Sequence, residues 1–408
     1  VRCEEAVVDW ETLYCPNPQC RGYGKPWKTG LLVKNGSSRG EPQALCKACG
    51  SSVTMSYGTA YYGLNADDTI FQIATRALAE GNSLRATGRI VQVDKDTVCA
   101  WLDRVARHCR HVLLSLWHNL AVQECQLDEL WSFVHTKEQN LPGAQLYCET
   151  YGDAWVWLAF APAWRLVLAF VIGKRIQANA DLLLLRVLQV SDPSLATLPL
   201  FTSDRLPEYE QALLNVYGEW YQPARQGRRG RMPQPRQKPL AGLLYAQVVK
   251  KREAGRVVAV GRQVVFGTPE AVEARLAQTG VSHTINTSFV ERDNLTQRQS
   301  NRRLTRRTNG FSKDLSWFEK QLWLSLAYYH LVLPHHSLHR TLPIAEPTRG
   351  TGSLRVWEPI TPAMAAGLTD HVWSTEELLG YRVPAEFLEK LPRLERLFPD
   401  WPPFHQGS

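Results

Sequence analysis

Three carboxylates stand out by their neighbours: Asp128 in QLDELWSFV, Asp204 in LFTSDRLPEYE and Glu291 in FVERDNLTQR. Each aspartate lies at or near the end of an apolar, strand-like run, and the glutamate opens a polar helical stretch rich in arginine. Carboxylates of this kind, gathered by a fold, suit a pair of divalent ions about 4 Å apart, Mg²⁺ first and Mn²⁺ as a substitute. Such a pair compensates charge on both the attacking and the leaving oxygen of a phosphodiester. Arg298 follows Glu291 by seven residues, so a helix puts both on one face about 10 Å apart. Asn294 falls on nearly the same side. Glu129 adjoins Asp128, but strand alternation aims it at the opposite face, outside the metal set. No Ser or Tyr nucleophile motif is evident, which fits chemistry without a covalent protein intermediate.

The segments Leu-Asp-Glu-Leu-Trp, Thr-Ser-Asp-x-x-x-x-Tyr and Glu-Arg-x-Asn-Leu-Thr-x-Arg resemble the catalytic blocks of the insertion sequence one family of transposases. The arginine-rich run from Ser300 to Lys313 continues the match, and the resemblance covers roughly residues 10 to 335. It implies a ribonuclease H-like core in which Asp128 bridges two Mg²⁺ ions, Asp204 ligates one and Glu291 the other. Arg298, assisted by Asn294, would hold a phosphate near the scissile bond. The implied activity is binding of terminal inverted repeats, Mg²⁺-dependent strand cleavage and strand transfer into target DNA. Double-stranded DNA and at least a second copy of the chain are the implied partners, in the bacterial cytoplasm at the nucleoid. A domesticated, non-catalytic DNA-binding regulator and a structure-selective nuclease of the same fold are the alternatives.

The elements that must position these groups fall in order along the chain. Cys15-x4-Cys20 and Cys46-x2-Cys49 have the paired spacing of a zinc ribbon, residues 1–60, in which four thiolates hold one Zn²⁺. So small a module draws most of its folding energy from the metal. Residues 61–122 read as a helix-turn-helix domain. Ile70, Ile73, Ala74 and Ala77 share one helical face, a short helix runs from Leu84 to Ile90, and Asp94 caps a helix through Arg107. Gln92 stands where many such turns carry glycine. In this reading Lys95, Asp96, Thr97 and Arg104 face the DNA major groove, while Val98, Trp101 and Leu102 face the core. A further helix, about 106–120, leads onward.

Residues 123–333 read as the catalytic domain, a mixed α/β fold. Strands are expected at about 125–135, 154–161, 165–173 and 198–202, with helices at about 178–189 and from Pro207. An insertion at about 218–282 carries a basic loop, a β-hairpin (243–251 and 256–266) and a helix (269–278), with a strand-like run at 284–289. A helix follows Lys313. Residues 334–408 read as a proline-broken tail or small packing domain, with His335-His336 in a solvated loop.

Composition sets limits. With 408 residues, 44% apolar, the chain can bury two or three cores, which excludes a mainly disordered protein. The net charge of +8 is concentrated: residues 222–240 hold six Arg or Lys and no acid. Arg302 and Arg306 belong to a second basic cluster, and such clusters favour a polyanion. The apolar run Trp155–Gly173 contains Pro162 and Arg165, so two buried strands explain it better than a membrane span. The start of the chain shows no apolar signal segment. Nine cysteines, four of them grouped, argue for a reducing compartment and a metal rather than a disulfide framework.

Overall fold

The computed structural model describes residues 10–25, 27–143, 150–193, 198–225, 232–254, 256–307, 309–348 and 352–388. The chain forms two units, Val1–Leu116 with Trp373–Ser408, and Trp117–Val372. The core of the expected basic loop, residues 226–231, and the prolines beyond residue 388 lie outside the described residues.

The first unit begins with an antiparallel sheet of β1 (Leu32–Ser38), β2 (Glu41–Cys46) and β3 (Ser52–Thr54). Its core is small: Leu13, Leu32, Ala44 and Val53 pack with Cys15 and Cys46. Three helices follow, α1 (Asp68–Ala79), α2 (Leu84–Val91) and α3 (Lys95–Leu116). Asp67 and Ser83 accept the free amides of Ile70 and Ala86, which fixes where α1 and α2 start. The turn into α3 puts Gln92 in the left-handed region, φ 57°, a conformation glycine adopts more easily. Gly88 is required for a different reason: a Cβ there would stand 2.7 Å from the Val93 carbonyl.

Two details differ from the sequence reading. The buried stripe of α1 is Phe71, Ala74, Thr75 and Leu78, with Ile70 and Ile73 more than a third exposed. Phe71 sets that rotation by packing edge-on against Tyr61 and Trp101. The two helices expected between Asp94 and Leu120 are one. Val98, Leu102, Val105, Cys109 and Val112 make an unbroken buried stripe, and no breaker interrupts it.

The second unit is built on a six-stranded sheet in the order β11-β10-β7-β4-β5-β6. β4 (Glu124–Val134), β5 (Gly152–Ala161) and β6 (Leu166–Gly173) run antiparallel, and the β5–β6 turn at Pro162–Arg165 accounts for the long apolar run. Among the described residues no helix is long and apolar enough to cross a membrane. Helix α4 (Gln177–Val190) leads to β7 (Leu200–Asp204), parallel to β4, and then to α5 (Pro207–Tyr217). A two-stranded ribbon, β8 (Gly218–Tyr221) and β9 (Arg236–Pro239), follows.

The expected inserted hairpin is no insertion. β10 (Leu244–Glu253) pairs parallel with all of β7, and β11 (Arg256–Phe266) completes the edge of the same sheet. The buried residues Leu244 to Val248 carry that pairing, and the exposed basic outer half of the hairpin masks it in the sequence. Helix α6 (Pro269–Thr279) comes next; the run at 284–289 forms no strand and leads into α7 (Ser288–Ser300). Helix α8 (Leu315–Ala327) ends in a wider turn through Val332, and β12 (His339–Pro347) and β13 (Leu354–Pro359) form a ribbon.

After α9 (Pro362–Ala365) the chain returns to the first unit with α10 (Thr375–Gly380). His108 Nε2 meets the Leu378 carbonyl at 2.9 Å, the Ala60 amide donates to Leu379 at 2.9 Å, and Arg382 Nε donates to Tyr57 O at 2.8 Å. The tail is therefore shared between units rather than forming a domain of its own.

Candidate active site and four-cysteine cluster

Parallel pairing of β4 with β7 sets Gln126 opposite Thr202. Two residues further along both strands, on the same face, stand Asp128 and Asp204. Helix α7 lies over that face. Its Val290 amide donates to Gln126 Oε1 at 3.1 Å, and Thr202 Oγ1 donates to the Asn286 carbonyl at 3.1 Å. This anchoring puts Asn294 Nδ2 2.6 Å from Asp128 Oδ2. Glu291, one turn earlier, accepts from Thr287 Oγ1 at 2.7 Å and forms an ion pair with Lys250 of β10.

The carboxylates act on one another. Burial pushes the Asp128 carboxyl up to about 7, and the charges of Glu129, Asp204 and Glu291 add to the rise against a backbone amide that lowers it. Burial also raises Asp204; Arg175 and Lys250 pull it down, and Glu291 pushes it up. Asp204 Oδ1 is buried with no hydrogen-bond partner among the described residues. Such an oxygen is suited to a cation. The three acids nevertheless do not form a close-set ligand group of the kind the cysteines make. Glu291 is held toward Lys250 instead.

Glu129 does face the other way, as alternation requires. It is almost wholly buried against α5, accepting from Tyr209 Oη at 3.1 Å and pairing with Arg175. Arg298 lies on the Glu291 side of α7, but its guanidinium donates to the Leu304 carbonyl and, at 3.1 Å, to Trp131 O. Burial lowers its pKa to about 10. It ties the segment after α7 to β4. Arg302 and Arg306 are exposed beyond it.

Lys250, Arg175 and Gln126 escaped the sequence reading. Ala246, Val248 and Lys250 alternate onto one face of β10, a signal that becomes useful only once β10 is known to adjoin β7. Arg175 follows β6 with no motif around it.

In the first unit, Lys95 and Asp96 are exposed at the start of α3 and pair at 2.6 Å, with Thr97 half-buried beside them. Val98, Trp101 and Leu102 are buried. Arg104 is committed to the protein: it donates to the carbonyls of Ala60, Tyr62 and Gly63.

The ligand atoms of Cys15, Cys20, Cys46 and Cys49 all lie within 4.8 Å of one another. Cys15 and Cys49 sulfurs are 3.5 Å apart, and those of Cys20 and Cys46 3.7 Å. Four sulfurs around one ion with bonds of about 2.3 Å would stand about 3.8 Å apart. The Gly22 amide donates to Cys20 Sγ at 3.2 Å, and Gly50 takes φ +75° to close the second turn. Cys49, exposed beside Ser51, has its pKa lowered to about 6, which favours the thiolate a metal needs. The cluster fits one structural metal ion.

A scan against protein-family models finds no match to this chain, and a search of the curated proteins finds none either.

Proposed function

We propose that this chain is a DNA transposase with a ribonuclease H-like core and an Asp128, Asp204, Glu291 triad. One observation carries the reading: two aspartates at the same level of adjacent parallel strands, on the face crossed by the helix that bears the glutamate. The sheet order, three antiparallel strands followed by two parallel ones with β11 at the edge, supports the ribonuclease H-like reading.

Two Mg²⁺ ions, when bound, would supply Lewis-acid activation of water and neutralise the leaving oxygen. Asp128 and Asp204 would hold them from the sheet, with Glu291 joining from α7. Asn294 fixes the orientation of Asp128. Arg298 braces the polypeptide after α7, and Arg302 and Arg306 offer exposed charge to the phosphates. The Cys15, Cys20, Cys46 and Cys49 cluster is read as a zinc ribbon, and α1 to α3 as a helix-turn-helix module for end recognition with Lys95 and Thr97 toward the groove.

The test is Mg²⁺-dependent cutting and joining of candidate element ends by the intact protein and by Asp204→Asn. The variant is expected to keep end binding and lose cutting. Equal cutting by both would remove Asp204 from the mechanism. Cutting that follows branch shape without joining would favour a nuclease.

A further inference from the structure

Helix α7 has a second working face. Glu291, Asn294 and Arg298 lie on the side of the acids, whereas Phe289, Arg292, Asp293 and Thr296 recur on the opposite side at helical spacing. That opposite side walls a cavity of about 470 Å³, closed by Phe160, Arg165, Tyr329 and the turn from Leu333 to Ser337. The turn read from sequence as a solvated loop is thus part of a pocket.

The lining combines ring surface with positive charge. The Arg165 guanidinium carbon stands 4.3 Å from the centre of the Phe289 ring, so the cation lies over the ring. Arg165 is held in place by its Nε donating to Ser337 Oγ at 2.9 Å. Neither Arg165 nor Arg292 is ion-paired with an acid among the described residues, and Arg292 is exposed at the rim. The one acid in the wall, Asp293, is buried. His335 is kept neutral by burial and by the arginines around it.

Flat apolar surface beside unpaired arginines matches a nucleotide, whose base stacks and whose phosphate needs a cation. We propose that this cavity takes one unpaired nucleotide of the DNA strand engaged by the acidic face of the same helix. The base lies against Phe289 and Arg165, with Tyr329 and Asp293 behind it, and the phosphate meets Arg292. The assignment rests on the transposase reading for the identity of the strand. The pocket itself does not depend on the triad.

The test is photo-crosslinking of the full chain, without added Mg²⁺, to a short oligothymidine carrying one 5-iodouracil, with the attachment site mapped by peptide mass spectrometry. Attachment at Phe289 or Tyr329 is expected, reduced about tenfold by Phe289→Ala or by Arg292→Ala. Arg292 is exposed, so its variant folds even where a cavity-lining change does not. Attachment only elsewhere, or yields unchanged in both variants, would overturn the proposal. Competition by micromolar thymidine 5′-monophosphate would assign the pocket to a free nucleotide and overturn it as a strand site. Crosslinking with no cutting once Mg²⁺ is added would discredit the triad alone, and cutting with Mg²⁺ but no crosslinking would discredit the pocket alone.

Discussion

Asn294 on α7 donates its side-chain amide to Asp128 on β4 at 2.6 Å, across the interface between helix and sheet. The bond fixes which oxygen of Asp128 remains open. Asn294→Ala should lower metal-dependent cutting about 10- to 100-fold while end binding persists, the usual range for a group that orients a ligand. Gel-based cleavage beside a binding assay reads both.

Asp128 also predicts a pH dependence. Its folded carboxyl is raised to about 7 from an ordinary 3.8, so folding favours the proton. The penalty on the metal-free fold is absent below about pH 4, grows between the two values and is complete above about pH 7. Asp128→Asn should therefore stabilise the chelated protein at about pH 8, by up to about 4 kcal/mol, and leave it unchanged near pH 4. Thermal unfolding at the two pH values checks this. Mg²⁺ must displace the same proton, so its affinity should weaken about tenfold per unit below about pH 7.

Lys250 holds Glu291 in an ion pair that a cation at the triad would have to compete with. Lys250→Met should lower the Mg²⁺ concentration for half-maximal cutting about two- to fivefold, the scale of a partly exposed pair. A higher requirement would show that the lysine assists the site.

Arg298 bonds two backbone carbonyls, Trp131 O and Leu304 O. Arg298→Lys should cost about 1–3 kcal/mol of stability in denaturant unfolding. Unchanged stability with weaker DNA binding would return the residue to the phosphate-holding role first expected of it.

For the cysteine cluster, the purified chain should carry one zinc. Its removal should speed hydrogen exchange in β1 to β3 and leave β4 to β7 protected.

Much of this was legible in the residues. The cysteine spacing, the four strands from β4 to β7 and the order of the acids depend on local pattern, and local pattern survives in sequence. The place of β10 did not, because five parallel pairs with β7 are a long-range fact and the hairpin's basic outer half looks like a surface arm. Arg104 reads as groove-facing from its place in the helix-turn-helix pattern, and Arg298 as phosphate-holding from its spacing after Glu291 and from the resemblance; their carbonyl partners belong to segments remote along the chain or beyond the helix end. Face assignment on α1 failed for a similar reason, since a ring contact from Trp101 outweighed the isoleucines.

Because residues 373–388 complete the unit begun by residues 10–116, the sheet-bearing unit is spliced into the middle of another. During translation the His108 ring and the Ala60 amide lack their carbonyl acceptors until α10 has emerged. The sheet-bearing unit can mature first. A chain truncated shortly before residue 373 would thus have a complete six-stranded sheet and an incomplete first unit.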